Sequence, residues 1–307
     1  MRVSRSLKAH VLLVLVTFAW GATFVLIKNA LALVSPLVFN SLRMAIAASA
    51  LAILFYKGLR GTTRQTLGSG MLVGLFLYLG YAFQTSGLRL TTPSKSAFIT
   101  GLAVVLVPLI VAVSGKRVPN RWTMLGVLAA FIGLYLMTIP EGEGLSLASI
   151  NRGDLLTLGC ACSFALHIFT LGKATQRHPY QQLSVIQVAT AGLLMVLTIP
   201  VETPRVSISL DVVFAVLFTA LICTAAAFSI QAWAQQFTPP THTALIFALE
   251  PVFAAMTSYF LLGERLGIRG TIGAILILSG ILISELKGSA MVPSADGEPS
   301  RPLAELL

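Results

Sequence analysis

Two ionisable residues stand where water is scarce. Arg43 lies inside the apolar run 36–56 and Glu250 inside the run 243–262. An unpaired charge at the middle of a bilayer costs between about 2.5 and well over 10 kcal/mol, depending on the scale, so each must face protein or water. Two chemistries fit Arg43: a counter-charge for a carboxylate solute, or a structural partner for helix-end carbonyls or for Glu250. Glu250 immediately precedes Pro251, whose ring removes a backbone donor and disfavours helical geometry at the residue before it. A kink is expected there. The carboxylate beside it either titrates during a proton-coupled cycle or anchors the loosened backbone through hydrogen bonds.

Around these two, amphipathic residues recur at helical spacing. Tyr78, Tyr81 and Thr85 stand at i, i+3 and i+7, with Gln84 flanking the stripe, and Phe228, Gln231 and Gln235 repeat the spacing. Ser163, His167 and Thr170 form a further set, and Trp20 pairs with Phe24. For any one of them, helix packing is as good a reading as ligand contact; the set carries more weight. A buried amide in lipid is costly unless it is bonded, which directs Gln84 and Gln231 toward the protein interior. Trp20, Tyr78, Tyr81, Gln84, His167, Gln231 and Glu250 are therefore the candidate substrate-binding residues, with Arg43 and Pro251 as structural or gating residues. Rings can shelter an apolar moiety while amides and a carboxylate meet polar groups, a mixture suited to a small amphipathic solute.

Enzymatic chemistry finds no footing. Cys160, Cys162 and Cys223 make no CxxC pair, and His10, His167, His178 and His242 make no HExxH motif and no i, i+4 pair. There is no GxSxG elbow and no P-loop. The sequence predicts no catalytic residue, no metal and no cofactor.

The elements that position these residues follow from composition. Of 307 residues, 56% are hydrophobic and 10% charged, against about 25% charged in an average soluble domain. Continuous apolar runs, each near the roughly 20 residues a helical span requires, cover about 9–28, 36–56, 67–88, 94–114 and 121–139, then 153–173, 180–200, 210–236, 243–262 and 268–286. The prediction is an all-α polytopic membrane protein of ten transmembrane helices. Residues 288–307, polar and rich in Pro and Ser, read as a disordered tail. Assigning loops alternately to the two faces puts thirteen Lys and Arg on the side of the N-terminus and seven opposite. This excess predicts both termini in the cytoplasm of a multi-pass inner (plasma) membrane protein. The formal charge of +10 is thus a topology signal, not a footprint for nucleic acid.

The chain also repeats itself. A shift of 147 residues superposes Gln84 on Gln231, Thr91 on Thr238, Pro93 on Pro240, Ala97 on Ala244, Gly126 on Gly273 and Gly133 on Gly280. Two halves result, 1–140 and 153–287, joined by a linker loop at 141–152. Five helices is an odd number, so the second half must enter the membrane from the opposite face, giving an inverted-topology repeat around a central cavity. The glycine pairs, each seven residues apart, give close-packing faces through which a homodimer could also form.

Three segments then carry a family resemblance: WGATFVLIK at 20–28, NSLRMAIAA at 40–48 and LEPVFAAMTSYFLLGERL at 249–266. Together they resemble EamA-type members of the drug/metabolite transporter superfamily, over nearly the whole of 9–287. The resemblance implies a ten-helix carrier with a central cavity that exports amino acids or other small metabolites. Without an ATP site, such transport is secondary or facilitative, by alternating access. A lipid flippase or scramblase could use the same helices with a lateral groove, and a membrane scaffold would need no cavity. A small-molecule substrate and membrane lipid are the expected partners.

Overall fold

The computed structural model describes residues 4–88, 90–91, 93–115, 119–139, 151–263 and 267–288. Lys116, Arg117, Glu264, most of the 141–152 linker and nearly all of the 288–307 tail lie outside the described residues, as do the side chains of Phe24, Lys28 and Lys95. Among the described residues the architecture is helical, and one isolated antiparallel bridge, Val34 to Val206, is the sole β contact.

In chain order the first half comprises α1 (Arg5–Ala22), α2 (Phe24–Leu33), α3 (Pro36–Leu54), α4 (Arg64–Leu88), α5 (Pro93–Gly101), α6 (Ala103–Gly115) and α7 (Arg121–Thr138). The second comprises α8 (Arg152–Ala174), α9 (Tyr180–Thr198), α10 (Leu210–Ala220), a π-helical segment Leu221–Ala226, α11 (Ala227–Ala234), α12 (Pro240–Phe247), α13 (Glu250–Leu262) and α14 (Ile268–Ile283). Among the described residues, eight helical stretches are long and apolar enough to cross a membrane, and α14 is a shorter apolar helix. The run 243–262 is divided between α12 and α13, so it is absent from those eight.

Local chemistry explains the starts and stops. Pro36 opens α3, where its missing amide hydrogen is no loss. The next two amides, Leu37 and Val38, donate to the Glu202 carboxylate at 2.7 and 3.3 Å, an acid at a positive helix end. A reciprocal capping box between Asn151 and Asp154 starts α8; Asp154 also accepts from the Thr91 hydroxyl, tying the α4–α5 connection to α8. Gly263, at φ 68°, closes α13 in the left-handed region.

Two interruptions obey the internal repeat. The helix breaks between α5 and α6 at Leu102 and between α12 and α13 at Ala248–Leu249, positions that the 147-residue shift superposes. Pro251 accounts for the second break, since it cannot donate to the Phe247 carbonyl four residues earlier. The run 9–28 holds an interruption that hydropathy does not predict, at Thr23 between α1 and α2. There the Thr23 hydroxyl donates back to the carbonyls of Ala19 and Trp20, each at 3.0 Å.

Packing across the halves rests on small residues. α7 and α14 run antiparallel, with Gly126 against Gly280 and Gly133 against Gly273. A Cβ on Gly133 would lie 2.5 Å from the Gly273 carbonyl oxygen, and one on Gly280 2.5 Å from that of Gly126. Glycine here permits an approach that no other residue allows. In α4, Gly70 and Gly74 lie against Ile186 and Gln187 of α9, while Gly80 and Gly87 lie against Phe164 and Thr157 of α8. Substituting Gly133→Leu or Gly280→Leu should lower the melting temperature of the detergent-purified protein, a destabilisation of about 1–3 kcal/mol. Gly68→Ala, with nothing within 4 Å of the added carbon, should melt with the wild type. Wild-type melting of both leucine variants would contradict the packing described.

Candidate functional site

The centre of the bundle is organised by the π-helical segment Leu221–Ala226. There the Thr224 hydroxyl donates to the Thr219 carbonyl five residues back, at 2.9 Å. The carbonyl of Cys223 turns outward and accepts from two side chains, Trp20 Nε1 at 2.8 Å and Arg43 Nη2 at 3.2 Å. A π-turn inside an α-helix thus creates a backbone acceptor where an α-helix would have consumed it.

Arg43 is 4% exposed. Its Nε donates to Thr224 Oγ1 at 2.5 Å and its Nη2 to the Tyr81 hydroxyl at 2.9 Å, while Cζ lies 4.9 Å from the Tyr81 ring centroid. Of the partners open to it from sequence, these contacts are of the helix-carbonyl kind, extended by two hydroxyls; Glu250 makes no hydrogen bond to it. The remaining Nη1 carries no hydrogen bond among the described residues.

Aromatic rings close around this point. Phe228, 2% exposed, meets Trp20 at 5.8 Å, Tyr81 at 6.5 Å and His167 at 5.6 Å between centroids. Trp20 also meets Phe247 at 4.9 Å, and Tyr81 meets Phe164 edge-on at 5.6 Å. Tyr78, one turn before Tyr81, packs on the same cluster. Gly80 makes the Tyr81–Phe164 contact attainable, because a Cβ there would fall 2.6 Å from the Phe164 ring. Phe164 and Phe247 escape the sequence reading. Each stands three residues before a residue that it does single out, His167 and Glu250, and that offset is the signal available.

The amides fall into two environments. His167 Nε2 and Gln187 Oε1 are 2.9 Å apart, both side chains buried, and Gln187 Nε2 has no hydrogen-bond partner among the described residues. Gln231 Nε2 donates to Gln235 Oε1 at 3.3 Å, Gln235 Nε2 donates to the Ile168 carbonyl at 2.9 Å, and Gln231 Oε1 has no hydrogen-bond partner among the described residues. Gln84 is half-buried and its amide makes no hydrogen bond among the described residues. Residues that the repeat equates are thus in unlike settings, Gln231 tied to its own helix and Gln84 uncommitted. Gln187 is a polar residue in the middle of the run 180–200, and the sequence reading passes over it.

Glu250 is the first residue of α13, at the positive end of a half-helix. It is half-buried, makes no side-chain hydrogen bond among the described residues, and lies within electrostatic reach of Tyr81 and Cys223. Its backbone sits against α1, since a Cβ on Gly21 would fall 2.7 Å from the Glu250 carbonyl oxygen. Trp20, Tyr81 and His167 are therefore joined through Phe228, Tyr78 and Gln231 flank them, and Gln84 and Glu250 stand apart from the hydrogen-bond network. Pro251 lies just beyond the break. Among the described residues, no group of three or more His, Cys, Asp or Glu side chains could hold a metal ion.

Tyr81→Phe keeps the ring but deletes the acceptor facing the guanidinium. A hydrogen bond to a charged group contributes about 1.5–3 kcal/mol, so this variant should melt measurably below the wild type. Arg43→Ala, leaving the Cys223 carbonyl and Thr224 short of a donor, should reduce folded yield in fluorescence-detected size exclusion. Unaltered melting of Tyr81→Phe would remove that bond from the account.

Comparison with known proteins gives the family of the chain. The description "EamA-like transporter family" matches residues 7–139 and again 151–286. An "Uncharacterized transporter" of Archaeoglobus fulgidus is 33% identical over 92% of this chain and 87% of its own. A "Probable amino-acid metabolite efflux pump" of Escherichia coli is 24% identical over 91% and 95%. A solved crystal structure shares the fold with a TM-score of 0.76 and 18% identity, covering 92% of this chain and 98% of that one. Matched in both halves and aligned along nearly its whole length with transporters, this multi-pass membrane chain belongs to the EamA-like transporter family.

Proposed function

We propose that the protein is a secondary carrier that exports or exchanges small zwitterionic, amphipathic metabolites such as amino acids by alternating access. The observation that carries this reading is the pair of interior charges. Arg43 and Glu250 have opposite sign, do not bond each other, and each retains hydrogen-bonding capacity beside one aromatic cluster. A solute bearing a carboxylate and an ammonium matches such a pair, with its apolar part against Trp20, Tyr78, Tyr81 and Phe228. The efflux pump named among the relatives is consistent with that class.

In the conformation described, the rings touch and fill the centre, so binding requires the halves to move. An inverted repeat offers two related shapes for that motion. In support, the α7–α14 contacts exchange partners under the 147-residue shift, Gly126 with Gly280 becoming Gly273 with Gly133, and the two helices are antiparallel. Equivalent helices running in opposite directions are what a two-fold axis in the membrane plane requires. On this reading α12–α13 and α14 supply the ninth and tenth crossings, and both termini lie in the cytoplasm of the inner (plasma) membrane.

Proteoliposome counterflow with a panel of free amino acids and their N-acetylated forms tests the substrate class. Wild-type protein should exchange free amino acids. Glu250→Gln should reduce that exchange about tenfold, a differential of about 1.4 kcal/mol, with the acetylated forms no worse than before. Gln84→Leu should weaken exchange at unchanged expression. Absence of counterflow for every free amino acid would overturn the substrate class, and a periplasmic label at the C-terminus would overturn the topology.

A further inference from the structure

A cavity lies at the end of the bundle where α1 begins and α3 ends. Its volume is about 280 Å³, and Lys8, Leu12, Phe55, Tyr180, Ser229, Ile230 and Trp233 line it. Those residues come from α1, the turn after α3, the start of α9, and α11. The inner wall is apolar and aromatic, with Phe55 and Tyr180 meeting edge-on at 6.0 Å.

Its rim is basic. Lys8 Nζ stands 5.5 Å from the Trp233 ring centroid, and Arg5 Cζ stands 5.8 Å from that of Phe237, one turn further along. Lys57 and Arg60, both exposed, follow Phe55 in the α3–α4 turn. The first turn of α1 carries no acid, so the helix dipole adds to these charges instead of opposing them. No acid occurs in 5–22, 55–63 or 180–198, and in 210–234 the sole acid is Asp211, at the opposite end of that stretch. Neither Lys8 nor Arg5 forms an ion pair among the described residues, so rings, not carboxylates, face their charges.

We infer that this cavity is a binding site for one anionic phospholipid, its acyl chain lying along Leu12, Ile230 and the rings, and its phosphate held by Lys8 and Arg5. Charge complementarity selects the occupant: a basic rim over an apolar wall, at the depth where a transmembrane helix begins, presents both halves of an acidic lipid with a counterpart. None of the residues that line this cavity is among those proposed for the substrate chamber, so the inference stands whether or not amino acids are the cargo.

The test uses the full-length purified protein titrated with phosphatidylglycerol or phosphatidylcholine while retained lipid is counted by native mass spectrometry. Phosphatidylglycerol should bind more tightly, and each of Lys8→Gln and Arg5→Gln should weaken it about fivefold without altering phosphatidylcholine. Ile230→Trp, which fills the cavity and leaves the rim intact, should reduce phosphatidylglycerol retention while the melting temperature without lipid is unchanged. Equal retention of the two lipids would overturn the site. So would a preference that survives Lys8→Gln, Arg5→Gln and Ile230→Trp alike. If glycerol phosphate competes as well as the intact lipid, the site recognises a soluble anion and the lipid assignment falls.

Discussion

Burying one guanidinium inside an apolar bundle is the constraint on which the centre of this protein depends. The desolvation of Arg43 is large, and hydroxyls and a backbone carbonyl must offset it because no carboxylate does so. Two of these partners exist only because helix 221–226 slips into π geometry: the slip exposes the Cys223 carbonyl and points Thr224 toward Nε. The third, Tyr81, is delivered by α4, whose Gly80 lets the neighbouring ring of Phe164 close on it. Trp20 shares the Cys223 carbonyl, so α1, α3, α4 and α10–α11 meet at one polar knot.

That knot explains why the aromatic residues are ordered around it. A ring stacked on the cation, as Tyr81 is, or donating to the carbonyl that the cation shares, as Trp20 does, has fewer orientations than a ring in a plain apolar core. Phe228 then bridges the knot to His167, and His167 to Gln187, carrying the polar network from α11 into α8 and α9. Glu250 remains outside the network at the start of α13. The separation of the two interior charges is therefore built into the helix positions and does not depend on a single rotamer.

Much of this is legible in the sequence, and the remainder is hidden for identifiable reasons. Apolar runs, the 147-residue repeat and the break before Pro251 follow from transfer free energy and from the missing proline amide. The depth of Arg43 and the spacing of Tyr78, Tyr81, Phe228 and Gln231 likewise point inward. Hydropathy cannot report a change of hydrogen-bond register, and the π-segment LICTAA contains neither Pro nor Gly. The break at Thr23 is equally silent, since a threonine hydroxyl bonding back to its own helix is common in unbroken helices. Partnerships such as Trp20 with Cys223, 203 residues apart, are fixed by tertiary packing alone. Gln84 and Gln231 show the limit of symmetry: the repeat equates their positions, and a neighbouring Gln235 commits only one of them.

The glycines of α4 have a consequence for the proposed cycle. Under the 147-residue shift Gly70, Gly74, Gly80 and Gly87 fall on Leu217, Leu221, Ala227 and Ala234. The halves therefore do not pack alike, since Leu217 and Leu221 are 44% and 43% exposed while Ala227 and Ala234 are buried. Under the alternating access proposed above, halves that exchange shapes would have end states of unequal energy even with nothing bound. A difference of about 1.4 kcal/mol would hold the empty protein about ten to one on one side of the membrane. Bias of that kind is set by backbone approach and not by cargo, so it would give the return step of the cycle a rate of its own.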